Sequence, residues 1–161
     1  MLTDLLKFKY KHLQEIETRQ DEETTANFRD FINNPVYKDF LLSQAQLYTL
    51  YHTIPTTKKR VILCIFGGYR TAPGTAELTL VPSRYFNRNV LKCLKVLRCM
   101  IHEKRDEFFP GDVYRLEMNC NLKYPEIVNF GIKGVKFDIV GIRHKFGFQQ
   151  QEDYILLEKV L

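Results

Sequence analysis

The spacing of apolar residues changes character near residue 58. Up to that point it reads mostly as helical. Thr3-Asp4 can cap a helix carrying Leu5, Leu6, Leu13 and Ile16, while Lys7-Phe8-Lys9-Tyr10 alternates like a strand, so both readings stand there. Asp21-Glu22-Glu23 makes an acidic first turn suited to the helix dipole, with Phe28, Phe31 and Ile32 on the apolar side. Asn33-Asn34-Pro35 ends that helix, because the residue before a proline is pushed out of the α region. A further helix is predicted over residues 37–51, with Phe40, Leu41, Leu47 and Leu50 as its apolar side. Ile54-Pro55-Thr56-Thr57 closes this part.

Beyond residue 58 strands appear. Arg60-Val61-Ile62-Leu63-Cys64-Ile65-Phe66, bounded by Gly67-Gly68, reads as a buried strand. Thr71-Ala72-Pro73-Gly74-Thr75 is a turn, since proline presets φ and glycine accepts positive φ after it. Ala76-Glu77-Leu78-Thr79-Leu80-Val81 returns as the second strand of a hairpin and stops at Pro82. Residues 84–108 form the strongest predicted helix. At about 100° per residue, Phe86, Val90, Cys93, Leu94, Leu97, Met100, Ile101 and Phe108 share one arc. Arg84, Arg88, Lys92, Lys95, Arg98, His102 and Arg105 share the other, as expected of a helix lying on a sheet. After Pro110-Gly111, residues 113–120 alternate as a strand, and a short helix over 125–133 ends at Gly134, read as a left-handed cap. Residues 135–140 and 154–160 complete a closing hairpin around Phe146-Gly147-Phe148. The order predicts a single α/β domain over residues 1–161: a helical N-terminal part (1–57) and a core (58–161) built on one central mixed sheet.

Composition narrows the class. The 161 residues are 45% hydrophobic and include 12 Phe and 9 Tyr, enough to build a packed core, which excludes disorder. No apolar run approaches the roughly 18 residues a membrane helix requires, and the N-terminus lacks a signal-peptide layout, which predicts a soluble, non-secreted protein with no membrane partner. Cys64, Cys93, Cys99 and Cys120 form no C-x-x-C pair, as suits reduced thiols, and Cys93 reads as a small core residue. No Cys or His pair has chelating spacing, so no metal is expected. Gly67-Gly68 lacks the spacing and Lys-Ser/Thr of a phosphate loop.

The charge is uneven. Residues 1–40 hold eight acids against six bases, whereas residues 58–105 hold eleven bases against Glu77 and Glu103 alone. Most of the surplus falls on the long helix. Arg84, Arg88, Lys92, Lys95, Arg98 and Arg105 are therefore a candidate interaction face, for an acidic protein or for nucleic acid, with Tyr69 and Tyr85 available for stacking. A solvated helix face explains the same pattern. The slightly acidic residues 1–57 can answer the basic helix within a homo-oligomer.

The element order and several residues resemble the GNAT acyltransferase superfamily over residues 60–161. Glu77-Leu78-Thr79-Leu80-Val81-Pro82 matches the family strand that ends near a Val-Pro pair and leads into a long helix. Asn121, the short helix, Gly134-Val135-Lys136-Phe137 and Tyr154-Ile155-Leu156-Leu157 occupy the later family positions. More narrowly, the long basic helix after a Val-x-Ser turn and the aromatic-rich ending resemble small divergent GNAT-like proteins of short-tailed phages, internal virion proteins among them.

The resemblance implies an acetyl-CoA site: Leu80 and Val81 binding the pantetheine arm through their backbones, Arg84 and Arg88 holding phosphate, and Asn121 at the cofactor end. Glu77 matches a position that often supplies a general base. Two departures stand against it. Pro82-Ser83-Arg84-Tyr85-Phe86-Asn87-Arg88 has no glycine, where the family bares backbone N–H groups to the CoA pyrophosphate. Phe130 stands where a proton-donating Tyr is usual, which leaves Tyr124 as substitute acid. The resulting expectation is a phage-type virion-associated or accessory protein with a degenerate GNAT-like fold, requiring no cofactor. It would contact other virion proteins or nucleic acid, in the virion or host cytoplasm. The alternative is an active acyl-CoA-dependent N-acetyltransferase.

Overall fold

The uninterrupted run Val61-Ile62-Leu63-Cys64-Ile65-Phe66-Gly67-Gly68 is buried at every position, as a strand covered on both faces must be. A computed structural model describes residues 3–17, 33–36, 39, 45–105, 109, 112–122, 124–146 and 151–161. The predicted helix carrying Phe28, Phe31 and Ile32 lies outside the described residues, as do Phe108, the Pro110-Gly111 break and the tip of the closing hairpin.

Among the described residues seven strands form one mixed sheet: β1 (Thr3–Lys7), β2 (Ala45–Thr53), β3 (Arg60–Ala72), β4 (Thr75–Pro82), β5 (Arg115–Asn121), β6 (Asp138–Phe146) and β7 (Gln151–Val160). Their order is β1-β2-β3-β4-β5-β7-β6. The β4–β5 pair is parallel, whereas β1–β2, β2–β3, β5–β7 and β6–β7 are antiparallel. The α/β reading holds. The chain packs as two compact units, residues 1–69 with 79–93, and residues 70–78 with 94–161.

In the first unit, Phe8, Leu13, Ile16, Leu47, Tyr51, Ile62, Ile65 and Val81 make one buried cluster. A one-turn helix, α1 (His12–Glu15), follows β1. Residues 37–51 were expected to be helical, but from Ala45 the chain is strand β2. Leu47 and Leu50 have helical spacing, yet the chain is extended and pairs antiparallel with β3, with a register shift between Leu50 and Tyr51 and all of Thr49, Leu50, Tyr51 and His52 buried. Thr49 is acceptable inside because His12 Nδ1 stands 2.7 Å from its hydroxyl. The segment left open at the start resolves as strand over Thr3–Lys7, taking in Leu5 and Leu6 but not Phe8-Lys9-Tyr10, while Leu13 falls in the one-turn helix α1. β3 runs on through Gly67-Gly68, where it was expected to stop. A Cβ on Gly67 would stand 1.9 Å from the Gln46 carbonyl oxygen, so the glycine there serves close strand approach.

In the second unit the buried side of β5, Leu116, Met118 and Cys120, alternates with half-buried Arg115, Glu117, Asn119 and Asn121. The long helix begins with a 3₁₀ turn (Asn87–Asn89), continues as α2 (Val90–Arg98) and widens into a π turn (Cys99–Glu103). Phe86, Cys93, Leu97, Met100 and Ile101 are buried, as the arc predicts. Arg84 lies in the turn before the helix. The short helix is α3 (Pro125–Asn129), extended by a π turn (Phe130–Val135). Its left-handed cap is Lys136 (φ 69°), not Gly134 as expected. Gly134 is small for another reason: a Cβ there would meet Leu94 Cδ1 at 3.0 Å.

Candidate functional site

The parallel ladder pairs Thr75, Ala76 and Glu77 with Arg115, Leu116 and Glu117, and both strands run on beyond it. Glu77 sits on the last of these pairs. It is half-buried, and its Oε1 accepts a 3.2 Å hydrogen bond from Asn119 Nδ2. Asn119 Oδ1 is buried with no partner among the described residues, a polar group left for something else to satisfy. Asn121 ends the same polar side of β5, and its carbonyl accepts the Tyr124 N–H at 3.0 Å. Tyr124 caps α3, its carbonyl taking the N–H groups of Ile127 and Val128. Phe130, at the position of the usual acid, is buried. The second unit thus holds Glu77, Asn121 and Tyr124. Asn119 was not singled out from the sequence, although its place on the alternating polar side of β5 was a readable signal.

In the first unit, β4 leads through half-buried Leu80 and buried Val81 into the turn over residues 83–86. Every backbone N–H of that turn has an internal acceptor. Ser83 donates to the Leu63 carbonyl at 2.9 Å, Arg84 to the Glu17 carbonyl at 2.9 Å and Phe86 to the Ser83 carbonyl at 3.1 Å. Tyr85 donates to Ser83 Oγ at 3.1 Å. The fully buried Phe86 ring fixes the end of the turn. These residues therefore do not fit a backbone cradle for pyrophosphate. Glycine is absent, and the donors it would bare are already engaged.

The side chains of the turn are engaged as well. Tyr85 OH donates to Glu17 Oε2 at 2.8 Å, and Lys59 Nζ donates to the same oxygen at 3.2 Å. Arg84 Nη1 stands 3.7 Å from Glu17 Oε1, and its guanidinium lies 5.2 Å over the Tyr85 ring. The Tyr85 hydrogen bond, then Lys59 and Arg84, hold the Glu17 carboxyl below the usual carboxylate range. Neither Glu17 nor Lys59 was foreseen, because each lies far along the chain from Arg84.

The cationic side chains of the long helix divide in two. Arg98 sets both Nε (3.0 Å) and Nη2 (2.6 Å) on the Gly134 carbonyl, and Arg105 donates to the Val113 carbonyl. Arg88, Lys92 and Lys95 are exposed, with Lys92 reaching Asn89 Oδ1 at 3.2 Å. Among the described residues no group of three or more His, Cys, Asp or Glu is placed to hold a metal ion. No helix among them is long and apolar enough to cross a membrane.

No protein-family model matches the sequence, and no curated protein matches it. Solved structures do. A GNAT-family acetyltransferase from Bacillus anthracis superposes with a TM-score of 0.63 at 12% identity, covering 99% of this chain and 95% of that one. The chain has a GNAT-like fold. A Bacillus subtilis acetyltransferase in complex with CoA gives a TM-score of 0.60 at 12% identity, covering 99% and 97%. Spermidine N-acetyltransferase from Vibrio cholerae, in complex with CoA and spermine, gives 0.63 at 10% identity, covering 99% and 95%. These superpositions cover 99% of the chain, beyond the residues 60–161 that carried the resemblance. These neighbours lend no support to a phage or virion role.

Proposed function

We propose that the protein is an acyl-CoA-dependent N-acyltransferase. The observation that carries this reading is the Glu77 carboxylate, held by Asn119 at the last pair of the parallel ladder. The CoA-bound acetyltransferases that share the fold support it. A primary amine attacks the thioester carbonyl carbon, and Glu77 takes the proton the nitrogen sheds. The C–S bond then breaks, and Tyr124 is the group assigned to return a proton to the departing thiolate. Leu80 and Val81 offer backbone groups on β4, beyond its ladder with β5, to an extended pantetheine arm. Phosphate has to be met by side chains, Arg84 and Arg88, and Asn121 completes the assignment. Glu77→Gln is expected to bind acetyl-CoA as the parent does while acyl transfer falls by about 10²-fold or more. Calorimetry and a thiol-release assay with polyamine acceptors check both parts. Unchanged transfer removes Glu77 as base, and no acetyl-CoA binding at millimolar concentration removes the reading.

The engaged N–H groups of residues 83–86 favour a second reading, a non-catalytic GNAT-like domain that works through Arg88, Lys92 and Lys95 on a protein or nucleic-acid partner. The acetyl-CoA titration decides between the two.

A further inference from the structure

Three side chains from two turns converge on a single carboxylate. Lys59 is placed by the tight connection between β2 and β3, in which Ile54 N–H donates to its carbonyl at 2.8 Å. Arg84 and Tyr85 are placed by the turn after β4. Glu17 lies just beyond α1. Its backbone carbonyl anchors the Arg84 N–H, while its carboxylate takes the Tyr85 hydroxyl and the Lys59 ammonium. The backbone anchor and the carboxylate act separately, so the side chain can swing away without releasing the turn.

We propose that Lys59, Arg84 and Tyr85 form a phosphate-binding site whose resident anion is the Glu17 carboxylate, an internal competitor that a phosphorylated ligand must displace. The chemistry fits at each donor. Two cations and a hydroxyl surround one single-charged carboxylate, so the site keeps a net positive charge with Glu17 in place. Arg84 at 3.7 Å is paired by charge but lies beyond hydrogen-bond length, leaving its planar fork of donors for the bidentate contact that phosphate accepts. Glu17, Lys59 and Arg84 have side chains 36%, 55% and 59% exposed, so a ligand reaches them from solvent. The ligand is a pyrophosphate or phosphate ester. Its identification with the phosphate end of an acyl-CoA rests on the proposed activity, whereas the competition by Glu17 does not.

The test is calorimetric titration of inorganic pyrophosphate, at fixed ionic strength, into the parent protein and Glu17→Gln. The substitution keeps the side chain's size and removes its charge at an exposed position, and circular dichroism confirms the fold. Glu17→Gln is expected to bind about tenfold more tightly, the size of one charge-assisted contact regained. Adding Lys59→Ala and Arg84→Ala to Glu17→Gln should abolish the gain. Equal or weaker binding in Glu17→Gln overturns the proposal, as does a gain that survives loss of both cations. Acetyl-CoA and acetyl-pantetheine, titrated in parallel, separate the sources. A gain for pyrophosphate with acetyl-CoA binding neither protein upholds the Glu17 site and removes the acyl-CoA reading. Acetyl-CoA bound equally by both proteins, with no gain for pyrophosphate, removes the Glu17 site and leaves that reading standing.

Discussion

Single residues here carry more than one duty, and His12 shows how. It is buried, its Nδ1 accepts the Lys9 N–H at 3.1 Å, and Thr49 Oγ1 lies 2.7 Å from the same atom. Burial, the largest influence, lowers its pKa below the ordinary 6.5. Glu15 opposes this, while Lys11, Lys9 and Arg60 add to it. A histidine whose folded pKa lies below the unfolded one contributes stability above the unfolded value, and loses it as pH falls through the folded value. Stability is therefore expected to decline on acidification below about pH 6.5, with an NMR titration of the His12 ring giving a midpoint under the ordinary value. A midpoint at or above the ordinary value contradicts the burial account. Tyr51, edge-on to the same ring, donates to Glu15 Oε2 at 2.5 Å, and burial followed by that carboxylate pushes its pKa up. Cys64 and Cys93, with sulfurs 3.9 Å apart, are buried free thiols, and burial pushes the Cys64 thiol up and away from reactivity.

At the scale of elements, the β3–β4 turn depends on one conformation. Gly74 has φ 75°, and its carbonyl accepts the N–H groups of both Tyr114 and Arg115 at 2.9 and 3.1 Å. An added Cβ would also stand 2.1 Å from Tyr114 Cε1. Gly74→Ala is expected to lose roughly 1–2 kcal/mol from the left-handed backbone alone, read as a lower urea midpoint. An unchanged midpoint would show that the turn relaxes freely. Strand β3 and the long helix were legible because each has a local period: one continuous apolar run, and one arc of Phe86, Cys93, Leu97, Met100 and Ile101. β2 was misread for a physical reason too. One of its fully buried positions is Thr49, a polar residue made acceptable by His12, 37 positions away. Local spacing cannot register a partner at that distance.

For the whole molecule, the net charge of +5 resolves into charges with different work. Of the six cations of the candidate face, Arg98 and Arg105 bind carbonyls and Arg84 pairs with Glu17, which leaves Arg88, Lys92 and Lys95 to contact a partner. Three such cations limit what nucleic acid gains from this face. Duplex DNA is expected to bind weakly, log K falling by about three per decade of salt, and to be lost in an Arg88→Glu, Lys95→Glu double variant. Anisotropy measured across a salt series checks this, and binding indifferent to the two substitutions removes the helix as the contact.

The sequence by itself determined the α/β class, the β3–β4 hairpin, the amphipathic helix and a turn after β4 without glycine, because all of these rest on periods and residue types read within a dozen positions. It also singled out Glu77, Tyr124 and the arginines as candidates. Only the tertiary structure decided that Asn119 holds Glu77, and that Glu17 takes both the Arg84 N–H and the Lys59 and Tyr85 side chains. Those pairs lie 42 to 68 positions apart, at separations where chain folding, not local propensity, chooses the partner.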